Sequence, residues 1–159
     1  MATSYNSDQW INHFIYDYYG FHWVYTYHYK YKAIKYVQRM VDLTKNYYYK
    51  PISFIHLDSK LALSNAFDDL YSINGIVIER ILLYTKEPNK KVEAAGKTIS
   101  IKGRYIGISA KLPYNLWLEI VVAAVYILNR TPLFRTNIIP FKALYSIKLI
   151  LLYIYIYSC

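Results

Sequence analysis

A short apolar run, Phe54-Ile55-His56-Leu57, limits what this chain can become: it stops on the carboxylate Asp58 and is followed by a helical stretch and a second β-branched run. Strand, helix and strand at such short range place the chain in the α/β class. They also set Asp58 at the rim of a sheet, where ligands meet α/β folds. A strand-end Asp has two readings, as a turn or cap residue and as a cation ligand, and the local sequence is compatible with both.

The remaining elements are spaced to match. Trp10–Tyr16 and His22–Tyr29 flank the turn-like Asp17-Tyr18-Tyr19-Gly20, which predicts an antiparallel hairpin of aromatic and β-branched residues. Its tyrosines suit strand packing, with base stacking as the alternative. Over Lys32–Asn46 the residues Ala33, Val37, Met40, Val41 and Thr44 recur at helical spacing, and Pro51 separates that helix from a strand over Ile52–Leu57. Leu63–Asn74 reads as a short helix with Ala66, Phe67 and Leu70 inward and Asn74-Gly75 as its stop. Asp68 and Asp69 sit in its early turns, where negative charge suits the helix dipole. Ile76-Val77-Ile78 then reads as a strand buried on both faces. Tyr114–Asn129 is a helix with Trp117, Ile120, Val121, Ala124 and Leu128 on one face, closed by Pro132.

At 159 residues the chain has the material for one ordinary domain with a real core. Nineteen Lys and Arg against ten Asp and Glu give a formal charge of +9. That balance favours an anionic partner, nucleic acid or an acidic membrane surface, with a solvated basic surface as the alternative. The single Cys159 excludes an internal disulfide framework and a multi-cysteine zinc site. His13, His22, His28 and His56 lack ligand spacing and read as structural. The polar start, Met1–Asp8, has no apolar core of a secretory signal, so an intracellular location is expected. The apolar stretches 116–128 and 149–157 fall short of the roughly 20 residues of a spanning helix, so no membrane partner is expected. The 21 Tyr, with Ile, Lys and Asn, are residues of AT-rich codons, a bias expected of a decayed coding sequence.

Several blocks, in order, resemble the integrase catalytic core of copia-type retrotransposons. They are Phe14-Ile15-Tyr16-Asp17-Tyr18-Tyr19-Gly20-Phe21-His22-Trp23-Val24-Tyr25, Ile55-His56-Leu57-Asp58, Asn65-Ala66-Phe67-Asp68-Asp69-Leu70 and Gly75-Ile76-Val77-Ile78-Glu79-Arg80. Tyr84-Thr85 through Asn89 to Glu93, Leu116-Trp117-Leu118-Glu119-Ile120 and Leu128-Asn129-Arg130-Thr131-Pro132 continue the series. The match runs from about 10 to 147, leaving a short polar N-terminus over 1–9 and an apolar tail over 148–159 that does not look like the family.

The resemblance implies a ribonuclease H-like mixed sheet flanked by helices, and an ancestral role in DNA integration by phosphodiester strand transfer. It implies three carboxylates that hold two Mg²⁺ or Mn²⁺ ions, since hard cations take hard oxygen ligands and a metal pair can activate the attacking oxygen and stabilise the leaving one. Asp58 matches the second acid and Glu93 the third. Lys86, Asn89, Lys90 and Lys91 surround the third acid, where the lysines would grip phosphate or, alternatively, form a solvated charge run. DNA, a homo-oligomeric partner and, for a working integrase, a nuclear location follow from the same likeness.

The sequence departs from the family pattern at several points. Lys86 stands at a Pro position, Lys90 at a Gly position and Ala94 at an Arg position, in what the family makes a loop near the DNA. The first acid has no counterpart. Asp8 lies too close to the hairpin, and Asp17 matches a later family acid that binds no metal. The central strand that carries the first acid is expected to be missing too. The expectation is a truncated, degenerate core without catalysis; the alternatives are a non-catalytic nucleic-acid-binding remnant and a residual metal-dependent endonuclease.

One segment divides residue pattern from resemblance. Thr98–Ser109 alternates apolar and polar residues around Lys102-Gly103 and by itself predicts a hairpin. The resemblance predicts one helix from Glu93 to about Ala110, with a partial stripe of Val92, Ala95, Ile99, Ile106 and Ala110. Gly96, Gly103 and Gly107 would each cost such a helix up to about 1 kcal/mol. The helix is the expectation adopted.

Overall fold

A computed structural model describes residues 4–49, 51–57, 65–80 and 86–146. In chain order the elements are β1 (Trp10–Tyr16), β2 (Phe21–Tyr27), α1 (Ala33–Asp42), β3 (Phe54–Leu57), α2 (Asn65–Asn74), β4 (Val77–Arg80), α3 (Lys86–Ser109), α4 (Trp117–Arg130) and α5 (Pro140–Tyr145). Among the described residues the strands form two separate two-stranded sheets, β1-β2 and β3-β4. The chain divides into one unit of residues 1–30 with 96–159, and another of residues 31–95.

The first unit is built on the hairpin. Trp10 pairs with Tyr27 and Tyr16 with Phe21, and the turn closes through Gly20 at φ +62, a conformation glycine adopts without a Cβ penalty. The second strand spans Phe21–Tyr27, one residue earlier at its start and two earlier at its end than the sequence expectation, and His28 and Tyr29 fall in the bend after it. Phe21, His22 and Trp23 are buried in succession, so β2 is covered on both faces.

Helix α4 supplies much of that cover. Ala124 and Val125 form a core with Ile99 of α3, and Val24, Ile106, Val121 and Leu128 pack around it. The expected inward face of α4 holds for Val121, Ala124 and Leu128. A second buried row, Leu118, Val125 and Asn129, widens it, so the helix is enclosed over more of its circumference than one stripe predicts. Full burial of an aliphatic side chain such as Leu118 contributes about 1.5–3 kcal/mol.

The glycines of α3 explain why the segment is a helix and not a hairpin. A Cβ placed at Gly103 or Gly107 would lie 3.3 Å from the Ile120 side chain. These two glycines, one helical turn apart, form the floor on which Ile120 sits, and the close approach of α3 and α4 offsets the poor helix propensity of glycine. Val92, expected on the inward stripe, is half exposed instead, because the packed face of α3 is set farther along by Ile99, Gly103 and Ile106. The helix begins earlier than expected, at Lys86. Pro88 falls in its first turn, where the missing N–H breaks no intrahelical bond.

α5 is an element that the sequence pattern does not announce; Pro140 occupies its first turn, and Leu144 and Pro140 are buried. Arg130 ties it to α4. Its guanidinium lies 3.5 Å from the Tyr126 ring centre and 4.1 Å from that of Phe141. Phe141 stacks on Tyr145 at 4.4 Å, and Tyr145 meets Phe21 edge-on at 5.9 Å.

In the second unit α1 buries Val37, Met40 and Val41 as the spacing predicts. The helix runs into a π-helical turn over Leu43–Tyr47, where buried Thr44 donates its hydroxyl to the Met40 and Val41 carbonyls at 3.0 and 2.8 Å. That bond withdraws a polar side chain into the core at no cost in unsatisfied groups. α2 ends at Gly75, φ +65, with Gly75 N–H donating to the Ser72 carbonyl and Ile76 N–H to that of Tyr71. This double reversal is a Schellman stop. Tyr71 and Ile76 are both buried beside it.

β3 and β4 pair in parallel from Phe54 opposite Val77 to Leu57 opposite Arg80. Burial of Ile76-Val77-Ile78 on both faces is not what the structure shows. Val77 is 51% exposed and its partner Phe54 56%. Ile76 is buried as part of the helix stop, and the paired Phe54 and Val77 side chains lie on a face that the described residues leave largely uncovered. The tail over 148–159, expected to fall outside the family pattern, lies outside the described residues.

Candidate catalytic and nucleic-acid site

Both candidate acids depend on elements of the second unit. β3 ends at Leu57. Asp58 itself lies outside the described residues. Glu93 lies on α3 and is exposed. Its carboxylate is the hard oxygen donor that a divalent cation such as Mg²⁺ takes, so the donor chemistry fits the ion. Among the described residues no group of three or more His, Cys, Asp or Glu is gathered as a metal cluster.

The basic residues around Glu93 occupy the start of α3 and not the loop that the family pattern implies. Lys86, Lys90 and Glu93 follow one another at helical spacing of four and three, with Asn89 beside them, so the four positions share one side of the helix. Lys91 lies on a different side. Lys90 and Lys91 are exposed, as is Lys97 one turn beyond Glu93. The side chains of Lys86 and Asn89 lie outside the described ones. Lys90 and Lys97 are thus exposed basic residues on the side of α3 that carries Glu93.

His13 and His22, two of the four histidines read from the sequence as structural, are brought side by side in the hairpin. Their rings stack with centres 5.1 Å apart, and His13 Nε2 lies 2.9 Å from His22 Nδ1, so one ring donates and the other accepts. Burial, with the neighbouring His13 as a second cause, lowers the His22 pKa from 6.5 to about 4. Burial also lowers that of His13. Both rings are therefore neutral at neutral pH, where they pack against each other and share one hydrogen bond.

Sequence reasoning assigns no role to Asn129. Its Oδ1 accepts from the His22 N–H and its Nδ2 donates to the His22 carbonyl, both at 2.8 Å. The signal that could have found it is an amide side chain in an otherwise apolar helix, Ile127-Leu128-Asn129, which has to find partners when buried.

The fold defined by these elements, mixed α/β with an aromatic hairpin packed on helices, is that of integrase catalytic cores of the ribonuclease H-like class. Two solved structures carry the comparison. One is a chain of the simian T-cell lymphotropic virus intasome in complex with PP2A regulatory subunit B56 gamma. It is 16% identical with a TM-score of 0.62, and the match covers 89% of this chain and 53% of that one. The other is the HTLV-2 integrase catalytic core domain in complex with magnesium, in a trimeric form. It is 16% identical with a TM-score of 0.59, and 86% of this chain and 93% of that one are covered. The chain thus spans about half of the intasome chain and nearly all of the isolated core. No protein-family model and no curated protein matches the sequence. No helix among the described residues is long and apolar enough to cross a membrane.

Proposed function

We propose that the chain is an integrase-derived domain of copia type, from a retrotransposon polyprotein, that binds DNA through the start of α3 and performs no strand transfer. The observation that carries this reading is the integrase-core fold together with the placement of Lys86, Asn89, Lys90 and Glu93 on one side of α3. Asp58 and Glu93 would hold a divalent ion. Bound there, Mg²⁺ or Mn²⁺ would polarise a phosphodiester oxygen. Two carboxylates offer one negative charge fewer than the three-acid set, and the chain's own contribution is then the positioning of phosphate by lysine ammonium groups. Nucleic acid is favoured over other anions by the formal charge of +9 and by the fold. Assembly into oligomers and a nuclear location belong to this same reading, in which the magnesium-bound trimeric HTLV-2 core is the supporting comparison.

Fluorescence anisotropy with a labelled DNA duplex tests the binding half. The expected result is an affinity that falls linearly with salt on logarithmic axes and drops uniformly across duplex sequences in Lys90→Glu/Lys91→Glu, with a shallower salt slope. An affinity indifferent to salt and to that double substitution would contradict it.

A further inference from the structure

We propose that the exposed row Thr98, Ile101, Tyr105 and Ile108 of α3 is a seam that docks an acidic amphipathic helix of a partner protein. These residues recur at three, four and three positions, the spacing of the a and d sites of a coiled coil. They cover about 15 Å of helix at 1.5 Å per residue. The opposite side of α3 is already used, since Ile99 and Ile106 pack with α4 and Gly103 and Gly107 seat Ile120. Yet Ile101, Tyr105 and Ile108 are 53%, 69% and 75% exposed. Scattered exposed apolar residues are ordinary; three on one helix face at heptad spacing form a patch of the kind that marks an interaction site.

Charge selects the occupant. Lys97 and Arg104 are seven residues apart and occupy the g sites that flank this seam, with Lys111 seven further on in the turn after the helix. Lys102 takes an e site on the other flank. A second copy of the helix packed in parallel would set Lys97 and Arg104 against the flank that holds Lys102. Packed antiparallel, it would set the Lys97 and Arg104 row against itself. Both arrangements oppose like charges, which e and g sites use to reject a partner. A helix with an apolar seam and Glu or Asp at its own e and g sites satisfies both flanks. This inference stands on α3 alone and does not rest on the integrase-derived reading.

The test uses the full 159-residue chain and a fluorescein-labelled three-heptad peptide with Leu at a and d and Glu at e and g. Comparators are the same peptide with Lys at e and g, and a scrambled peptide of identical composition. The expected result is binding of the Glu heptad peptide about tenfold or more tighter than either comparator. Ile101→Ser/Ile108→Ser should lose about tenfold with an unchanged circular dichroism spectrum. Lys97→Glu/Arg104→Glu should reverse the preference toward the Lys peptide, a gain of binding that misfolding cannot imitate. Equal binding of heptad and scrambled peptides, or no binding, would overturn the proposal. So would self-association of the chain that Ile108→Ser abolishes, which assigns the seam to a second copy. A loss of duplex DNA affinity in Ile101→Ser/Ile108→Ser as large as the loss of peptide affinity would assign it to nucleic acid.

Discussion

Asn129 of α4 and His22 of β2 are joined by two hydrogen bonds of 2.8 Å, the side-chain amide matching the N–H and the carbonyl of one backbone unit. The amide thus supplies to β2 the pairing that a neighbouring strand would supply, and it fixes the helix on the hairpin in one register. Replacing it by Leu removes both partners from buried backbone groups, each worth about 1–3 kcal/mol when left unsatisfied. Asn129→Leu is therefore expected to destabilise the chain by about 2–4 kcal/mol in urea unfolding. Asn129→Asp should also destabilise it, because a carboxylate accepts from the N–H but repels the carbonyl.

The stacked histidines set a pH dependence. The His22 pKa in the folded chain, about 4, lies below its ordinary 6.5. Between those values the unfolded chain binds more protons, so stability rises with pH there. This contribution is fully present above about pH 6.5 and is lost as pH falls through about 4, and the lowered His13 pKa acts in the same direction. The loss due to His22 is on the order of 3 kcal/mol. Unfolding curves between these limits should show it, and His22→Gln should flatten the slope.

Helix α3 carries three glycines with opposite expected responses. At Gly96 nothing beyond its chain neighbours and the helix's own backbone lies within 4 Å of the point a Cβ would occupy, so Gly96→Ala should stabilise by up to about 1 kcal/mol through helix propensity. Gly103→Val drives two methyl groups toward Ile120, already 3.3 Å from the Cβ position, and should destabilise by about 1–3 kcal/mol. Ile120→Ala in the same chain should recover part of that loss, which a double-mutant cycle measures.

Much of this architecture is legible in the sequence because the responsible signals are local. The aromatic hairpin, the α1 stripe of Val37, Met40 and Val41, and the stop at Asn74-Gly75 each declare themselves within a few residues. α3 does not. Its alternating β-branched residues favour a strand locally, and only the contact of Gly103 and Gly107 with Ile120, a residue of another helix, makes helix the better solution. The reach of α3 back to Lys86 is illegible for a related reason, since Pro88 and the lysines resemble a loop until Pro88 is seen to occupy a first turn. The opening of Phe54 and Val77 to solvent depends on which elements lie over β3 and β4, and an apolar run carries no information about its own cover.

At the candidate site, Glu93 and the basic residues before it are named by the family resemblance and not by the local pattern, and the helix puts the positions of Lys86, Asn89, Lys90 and Glu93 on one side and Lys91 on another. The seam of Ile101, Tyr105 and Ile108 is hidden by the same alternation that suggests a hairpin, because the period of exposure becomes visible only once the backbone is helical.

Whether Asp58 and Glu93 still perform phosphodiester chemistry is tested most directly by the nicking of a supercoiled DNA substrate in the presence of Mn²⁺, with the 159-residue chain beside Asp58→Asn and Glu93→Gln. The expected result is DNA binding by all three with no metal-dependent nicking that distinguishes them. Nicking by the unaltered chain that requires Mn²⁺ and disappears in both variants would contradict a catalytically silent domain, and would mean that a working metal site is assembled around these two acids.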